Sequence, residues 1–302
     1  MSQFYSHGKL LITGEYLVLD GAKALAVATK YGQDLRVEKN VSNKIYWKSF
    51  DHNGELWFET ELDPDLQTGQ KDQKSTEIEW RLIEILKEAK KLNPLFLAGD
   101  QGYRVETKLE FDRNWGLGTS STLINNIASW AEIDAFELLQ RSMGGSGYDI
   151  ACAQNDHPIL YSLDQGHPQI QEAKFNPPFK ENLYFVFLNQ KQNSREGIAR
   201  YKSIPHLSKE VFLEIDLITE EMMICKELNR INALMAEHEK IISSIINIEP
   251  IQKTLFKDYF GQIKSLGAWG GDFILATGNE HTPDYFVKKG FKTVIPYREM
   301  VL

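Results

Sequence analysis

The stretch Trp115-Gly116-Leu117-Gly118-Thr119-Ser120-Ser121-Thr122 decides how the rest of this 302-residue chain reads. It follows a β-branched run at 103–109 and opens a helical pattern over 122–130, so it is a strand-to-helix turn. Glycines at 116 and 118 allow a sharp bend and close approach of a ligand to the backbone. Thr119, Ser120 and Ser121 fall where a helix begins with unpaired N–H groups and a partial positive charge. Such an end suits a phosphate group. A plain helix start with Ser/Thr capping is the alternative. No G-x-x-x-x-G-K-[ST] motif occurs in the chain, so a lysine serving this turn has to come from elsewhere.

Upstream, residues 9–40 run apolar and β-branched between Gly14, Gly21 and Gly32, which predicts strands with tight turns and includes residues 16–19 as strand. Residues 45–47 and 56–58 predict a hairpin. Ser75 or Thr76 then caps a helix whose face carries Ile78, Leu82, Ile85, Leu86 and Ala89. Downstream, a helix over about 136–142 leads into Gly144-Gly145-Ser146-Gly147-Tyr148-Asp149. Strands are expected at 158–161 and 183–188, with the polar, Pro-bearing stretch 164–181 as an interdomain connection. Helices dominate 194–260. The chain closes with the glycine-rich Gly267-Ala268-Trp269-Gly270-Gly271-Asp272, a strand, a helix at 283–289 and a strand at 292–296. Mixed strands and helices in both halves predict an α+β protein of two domains, 1–170 and 171–302.

Composition narrows the function. Hydrophobic residues at 42% and charged residues at 25% are ordinary for a globular protein, which removes disordered and fibrous readings. A formal charge of −8 argues against a broad nucleic-acid or anionic-membrane footprint, while a local cationic cluster for a small phosphorylated molecule stays open. Seven His and two Cys do not make zinc spacings or a disulfide framework. No signal-like N-terminus or membrane-length apolar run is present, so a cytoplasmic protein is expected, monomer or homodimer.

Asp149 follows a Gly-Ser-Gly-Tyr turn and precedes the small apolar run 150–153. A carboxylate so held can orient or accept a hydroxyl proton; an Asx-turn or helix cap is the alternative. Ser146 lacks the final glycine of G-x-S-x-G and is not read as a nucleophile. Lys9 and Glu15 head an apolar strand region, where charges are ordinarily solvated, although a lysine there can neutralise phosphate. Gly267 to Asp272 has the composition of backbone packed on a ligand, or of a plain turn.

In chain order these segments resemble the GHMP superfamily of small-molecule kinases. The opening run 7–21 resembles its first motif, 116–121 its phosphate loop and 264–272 its C-terminal glycine-rich motif. Residues 145–152 followed by 159–161, together with Gly270-Gly271-Asp272, are most similar to the isoprenoid branch of mevalonate and phosphomevalonate kinases. The resemblance implies a two-domain fold, an N-terminal ribosomal protein S5 domain 2-like half and a C-terminal ferredoxin-like α/β sandwich. It implies ATP and Mg²⁺, with the triphosphate over Gly116, Leu117, Gly118, Thr119, Ser120 and Ser121 and near Gly267 and Gly270. Ser120 and Glu137 would hold the metal, and Lys9 and Asp149 would be catalytic. The implied acceptor is mevalonate or phosphomevalonate, the latter needing cations such as Lys30, Arg195, Arg200 or Lys202. A diphosphomevalonate decarboxylase-like enzyme and a catalytically idle nucleotide-binding paralogue are the alternatives. The chain departs from the family pattern at Arg113-Asn114-Trp115, before the phosphate loop, and at Trp269 within the last glycine run.

Overall fold

The computed structural model describes residues 1–66, 76–99, 101–190, 194–205 and 207–302, without the side chains of Ser194 and Arg195. Ser75, one of the two expected helix caps, lies outside the described residues, and so does the side chain of Arg195. In chain order the strands and helices are β1 (Ser2–Leu11), β2 (Ala24–Asn40), β3 (Ile45–Phe50), β4 (Leu56–Leu62), α1 (Glu77–Leu92), β5 (Gly102–Leu109), α2 (Thr119–Ala131), α3 (Ala135–Ser142), α4 (Tyr148–Gln154), β6 (Ile159–Asp164) and β7 (His167–Glu172). The remainder are β8 (Leu183–Phe187), α5 (Ser194–Lys202), α6 (Lys209–Ile224), α7 (Leu228–Ile246), α8 (Ile251–Leu255), β9 (Ile263–Ser265), β10 (Phe273–Thr277), α9 (Thr282–Lys288), β11 (Val294–Pro296) and α10 (Tyr297–Met300). No helix among the described residues is long and apolar enough to cross a membrane.

Two local expectations change. Residues 16–19 are not strand: Leu17–Asp20 is a 3-10 turn closed by Gly21 in the left-handed region, φ 97°. Its apolar residues Leu17 and Val18 are adjacent and both buried, which imitates a buried strand in sequence. The polar stretch at 164–181 contains β7, which pairs with β6 as an exposed hairpin. Solvent on both faces of β7 leaves no apolar alternation to read.

The chain forms two compact units that interleave along the sequence, where a single cut near 170 is the sequence expectation. The first comprises Met1–Gly8, Tyr31–Arg113 and Gly118–Gln154. Its strands run β4-β3-β5-β2, with β3 parallel to β5 and the other pairs antiparallel. Thr76 caps α1 by accepting from the Glu79 N–H at 3.3 Å, and Leu82, Ile85, Leu86 and Ala89 turn into the core as their spacing predicts. Trp47 and Val105 from the strands, Ile124 and Ile127 from α2, Leu138 from α3 and Ile150 from α4 complete that core.

Below α2 lies a polar seam. Ser6 donates to Asn126 at 2.7 Å, Asn125 donates to Ser6 at 2.9 Å, and Asn126 donates to the Gln33 carbonyl at 2.9 Å. Thr122 donates to the Gln33 side chain, which donates in turn to Thr107. Gln154, from α4, donates to Asn125 at 2.9 Å, which ties α4 to α2. Buried hydrogen-bond groups without partners are costly, so such a seam holds only if every member is matched.

The second unit comprises Lys9–Lys30, Asn114–Leu117 and Asn155–Leu302. Here β6 lies between β7 and the first residues of β2, and a separate antiparallel sheet runs β11-β8-β10-β9. Strands β8 and β10 are buried throughout, as their unbroken apolar runs predict. A helical layer packs Ile215 of α6 and Ile242 and Ile246 of α7 with Tyr16, Leu17, Tyr201 and Trp269.

Candidate functional site

The glycine turn takes the conformation its composition predicts. Gly116 and Gly118 have φ of 69° and 95°, values that side chains with a Cβ rarely adopt. Gly118 is the N-cap of α2 and supplies no side-chain cap, so the plain Ser/Thr-capped start is not what forms. Ser121 turns its hydroxyl back to the Gly118 carbonyl at 2.9 Å and is buried. Ser120 is exposed. Leu117 is wholly buried, and its carbonyl accepts the Lys9 N–H at 2.9 Å. A helix start without side-chain capping retains its amide dipoles for an anion.

Lys9 is tied to the same segment by its side chain, with Nζ donating to the Gly116 carbonyl at 2.9 Å. This lysine reaches the turn from β1, 107 residues earlier in the chain. Asp272 reaches Gly116 as well: a Cβ on Gly116 would lie 2.6 Å from the Asp272 carboxyl carbon and 2.7 and 2.8 Å from its oxygens. Asp272 has φ 53°, and its backbone is fixed on both sides, the N–H donating to Gln190 at 2.6 Å and the carbonyl accepting from Leu188 at 2.8 Å.

In the first unit a cavity of about 160 Å³ has Thr119 and Ser120 in its wall. Trp47, Trp57, Phe58, Leu82, Ile85 and Leu123 supply most of its apolar lining. Among the described residues the buried Trp57 Nε1 has no hydrogen-bond partner, and the Arg113 guanidinium stands 4.4 Å from the centre of the Trp57 ring. The cavity's residues come from β2, β3, β4, α1, α2 and the residue that follows α3, and no spacing rule joins them. The concentration of aromatic residues in the 45–58 hairpin is the only hint in the sequence.

Asp149 sits in the first turn of α4, after Gly144, Gly145 and Gly147 at positive φ. Its carboxylate accepts from the Ile150 N–H at 3.1 Å. Glu137 is placed on an exposed face of α3, where it pairs with Arg141 at 2.6 Å. Among the described residues no group of three or more His, Cys, Asp or Glu side chains could hold a metal ion. Gly267 and Gly270 both take positive φ in the turn after β9.

Glu15 departs from the expected solvated charge. It is fully buried and pairs with Lys264, itself fully buried. Glu15 Oε2 lies 3.3 Å from His238 Nε2, which accepts the Gly14 N–H at 3.1 Å. Glu239 accepts from the Ser265 N–H at 2.8 Å and, more weakly, from its hydroxyl at 3.3 Å. Burial drives the His238 pKa far down, helped by the Lys264 charge, so its ring is neutral. Burial raises Glu239 to about 8 against the pull of Lys264, and it raises Glu15 in the same way. Among the described residues Glu15 Oε2 and His238 Nδ1 have no hydrogen-bond partner. Partners separated by 249 residues, as Glu15 and Lys264 are, leave no trace in spacing.

Trp269 does not fill the site. Its indole is buried with Tyr16 and Tyr201 under α6 and α7, in spite of its φ of 54°. Tyr16 donates to the Ala268 carbonyl at 2.8 Å and stacks on Tyr201, which donates to Asp20 at 2.6 Å. Burial pushes the Tyr16 hydroxyl up to about 12, so it donates at neutral pH.

No protein-family model matches the sequence, and no curated protein sequence matches it. Solved structures do match. Methanococcus jannaschii mevalonate kinase aligns at a TM-score of 0.71 and 16% identity, over 95% of this chain and 94% of that one. Streptococcus pneumoniae phosphomevalonate kinase, in complex with phosphomevalonate and AMPPNP, aligns at 0.68 and 16% identity over 96% of each chain. Lactococcus lactis galactokinase complexed with galactose aligns at 0.62 and 13% identity, over 95% and 88%. Together with the two α+β units and the glycine turns, these alignments show that the chain has the fold of the GHMP small-molecule kinases.

Proposed function

We propose that this protein is an ATP- and Mg²⁺-dependent kinase of the isoprenoid branch, transferring the γ-phosphate to a hydroxyl of phosphomevalonate or, less favoured, mevalonate. The observation that carries the reading is the start of α2, uncapped by side chains and set in the wall of an apolar cavity walled by indoles. An anion-binding helix end beside a flat aromatic slot fits a nucleotide, the base in the cavity and the phosphates on the turn. The bound AMPPNP of the S. pneumoniae neighbour supports this.

Phosphoryl transfer passes through a loose transition state, so alignment and charge neutralisation supply most of the rate. The amides at 118–121 hold phosphate oxygens, and the Lys9 ammonium, oriented by the Gly116 carbonyl, offsets charge on the transferring group. Asp149, held at the head of α4 by the Ile150 amide, accepts or orients the acceptor's hydroxyl proton. Ser120, exposed at the start of α2, would supply a hydroxyl ligand to a bound metal ion, whose chemistry would be to withdraw negative charge from the phosphates. An acceptor phosphate needs a further cation. Arg200, exposed on α5 and close enough to lower the Tyr16 pKa, is the foremost supplier.

Coupled ADP release across phosphomevalonate, mevalonate, homoserine and galactose tests the proposal. Turnover is expected on the first two, and none on any of the four removes it. Asp149→Asn is expected to lose on the order of 10²–10⁴ in kcat with intact nucleotide binding.

A further inference from the structure

Two indoles stand in the wall of the cavity beside the start of α2, and their N–H groups fare differently. Trp47 donates to Ser49 at 3.0 Å. Trp57 Nε1 is buried as well, yet no described group accepts from it. Gln33, also in the wall, accepts from Thr122 and donates to Thr107. Trp57 Nε1 is therefore the one buried side-chain polar atom of the described lining without a partner. An indole N–H can only donate, and a buried donor left unmatched costs free energy. An acceptor carried by a ligand would match it.

Arg113 sharpens that donor. Its guanidinium stands 4.4 Å from the centre of the Trp57 ring and is not itself part of the cavity lining. A cation against the π-face draws ring charge toward itself, which leaves the N–H more positive. Size narrows the ligand further. A cavity of about 160 Å³ is smaller than the ~300–1,000 Å³ that encloses a whole small molecule, so it takes one flat end of a larger one. The buried side-chain oxygens of the wall, Gln33 Oε1 and Ser49 Oγ, are already engaged by Thr122 and Trp47. A heteroaromatic ring with a lone pair on its edge fits this wall. A ring that turns an N–H toward it sets two donors face to face.

We propose that Trp57 is a specificity-determining residue for the nucleotide, its Nε1–H donating to a ring nitrogen of adenine. This rests on the kinase reading, which puts the base in the cavity, and adds to it the group that reads the base. Arg113, at which the chain leaves the family pattern, then serves the site by polarising that indole.

Calorimetry with ATP and with its 1-deaza, 3-deaza and 7-deaza analogues, each in Mg²⁺, tests the proposal, because each analogue replaces one ring nitrogen by C–H. The wild-type protein is expected to bind one of the three about 5- to 100-fold more weakly than ATP and the other two nearly as well as ATP. Trp57→Phe keeps a ring in the wall and removes the N–H. It is expected to bind ATP more weakly, and to bind that one analogue as well as it binds ATP. Wild-type protein carrying ¹⁵N-labelled tryptophan gives a readout that needs no variant. One of its six indole N–H signals is expected to move downfield with ATP and not with the affected analogue. Equal affinity of the wild-type protein for all four nucleotides, or the same loss in Trp57→Phe, overturns the role of Trp57 while leaving the kinase reading intact. Failure of the wild-type protein to bind ATP overturns both.

Discussion

The two units solve the burial of polar groups in opposite ways. Beneath α2 the seam of Ser6, Gln33, Thr107, Thr122, Asn125, Asn126 and Gln154 is neutral. Beside Gly14, Glu15, His238, Glu239 and Lys264 are ionisable, fully or nearly fully buried, and leave two atoms without partners among the described residues. A neutral seam holds a helix rigidly and does not respond to pH. A charged cluster fixes geometry through one strong pair, at a desolvation cost and with a proton inventory that depends on pH.

The largest expected effect breaks the charged side. Lys264→Met leaves Glu15 buried without its cation and should cost about 3–5 kcal/mol in denaturant unfolding. Pairing it with Glu15→Gln should recover much of that loss. An equal loss in the double variant would mean that packing, not charge, dominates there. Next comes the neutral seam. Asn126→Leu strips Ser6 of its acceptor and the Gln33 carbonyl of a donor, and should cost about 1–3 kcal/mol by the same measurement with no change between pH 6 and 8.

The smallest effect is the most specific to the contrast. The folded chain keeps the Glu239 proton up to about pH 8, whereas the unfolded chain releases it near the ordinary carboxylate value. Its contribution is therefore complete below that ordinary value and is lost as pH rises through 8. His238 works the other way: its depressed folded pKa gives stability that is present above about 6.5 and lost as pH falls. Between about 6.5 and 8 only the carboxylate side of the cluster acts, so the thermal midpoint should fall with pH, and Glu239→Gln should flatten the fall. An unaltered slope in that variant would remove Glu239 from the account.

Much of the fold was legible because short-range physics sets it. The face of α1 from Leu82 to Ala89, the hairpin of β3 and β4, and the turn at 116–118 follow from periodicity and from glycines at positive φ. Residues 17–20 misread because two adjacent buried apolar residues, Leu17 and Val18, look the same in a buried strand and in a 3-10 turn. β7 hid in a polar stretch for the opposite reason, having no buried face. At the site, the turn and the placing of Asp149 after a glycine run could be read locally. The pairing of Glu15 with Lys264, the contact of Asp272 with Gly116 and the cavity lining could not, since each joins segments that meet only after folding.

The central claim is that the turn from Gly116 to Ser121 carries a triphosphate whose base occupies the indole-lined cavity. A crystal structure with AMPPNP and Mg²⁺ tests it most directly. The base is expected among Trp47, Trp57 and Leu123, with phosphate oxygens on the amides at the start of α2. Phosphates bound elsewhere, or a cavity that stays empty while the nucleotide is bound, would contradict it.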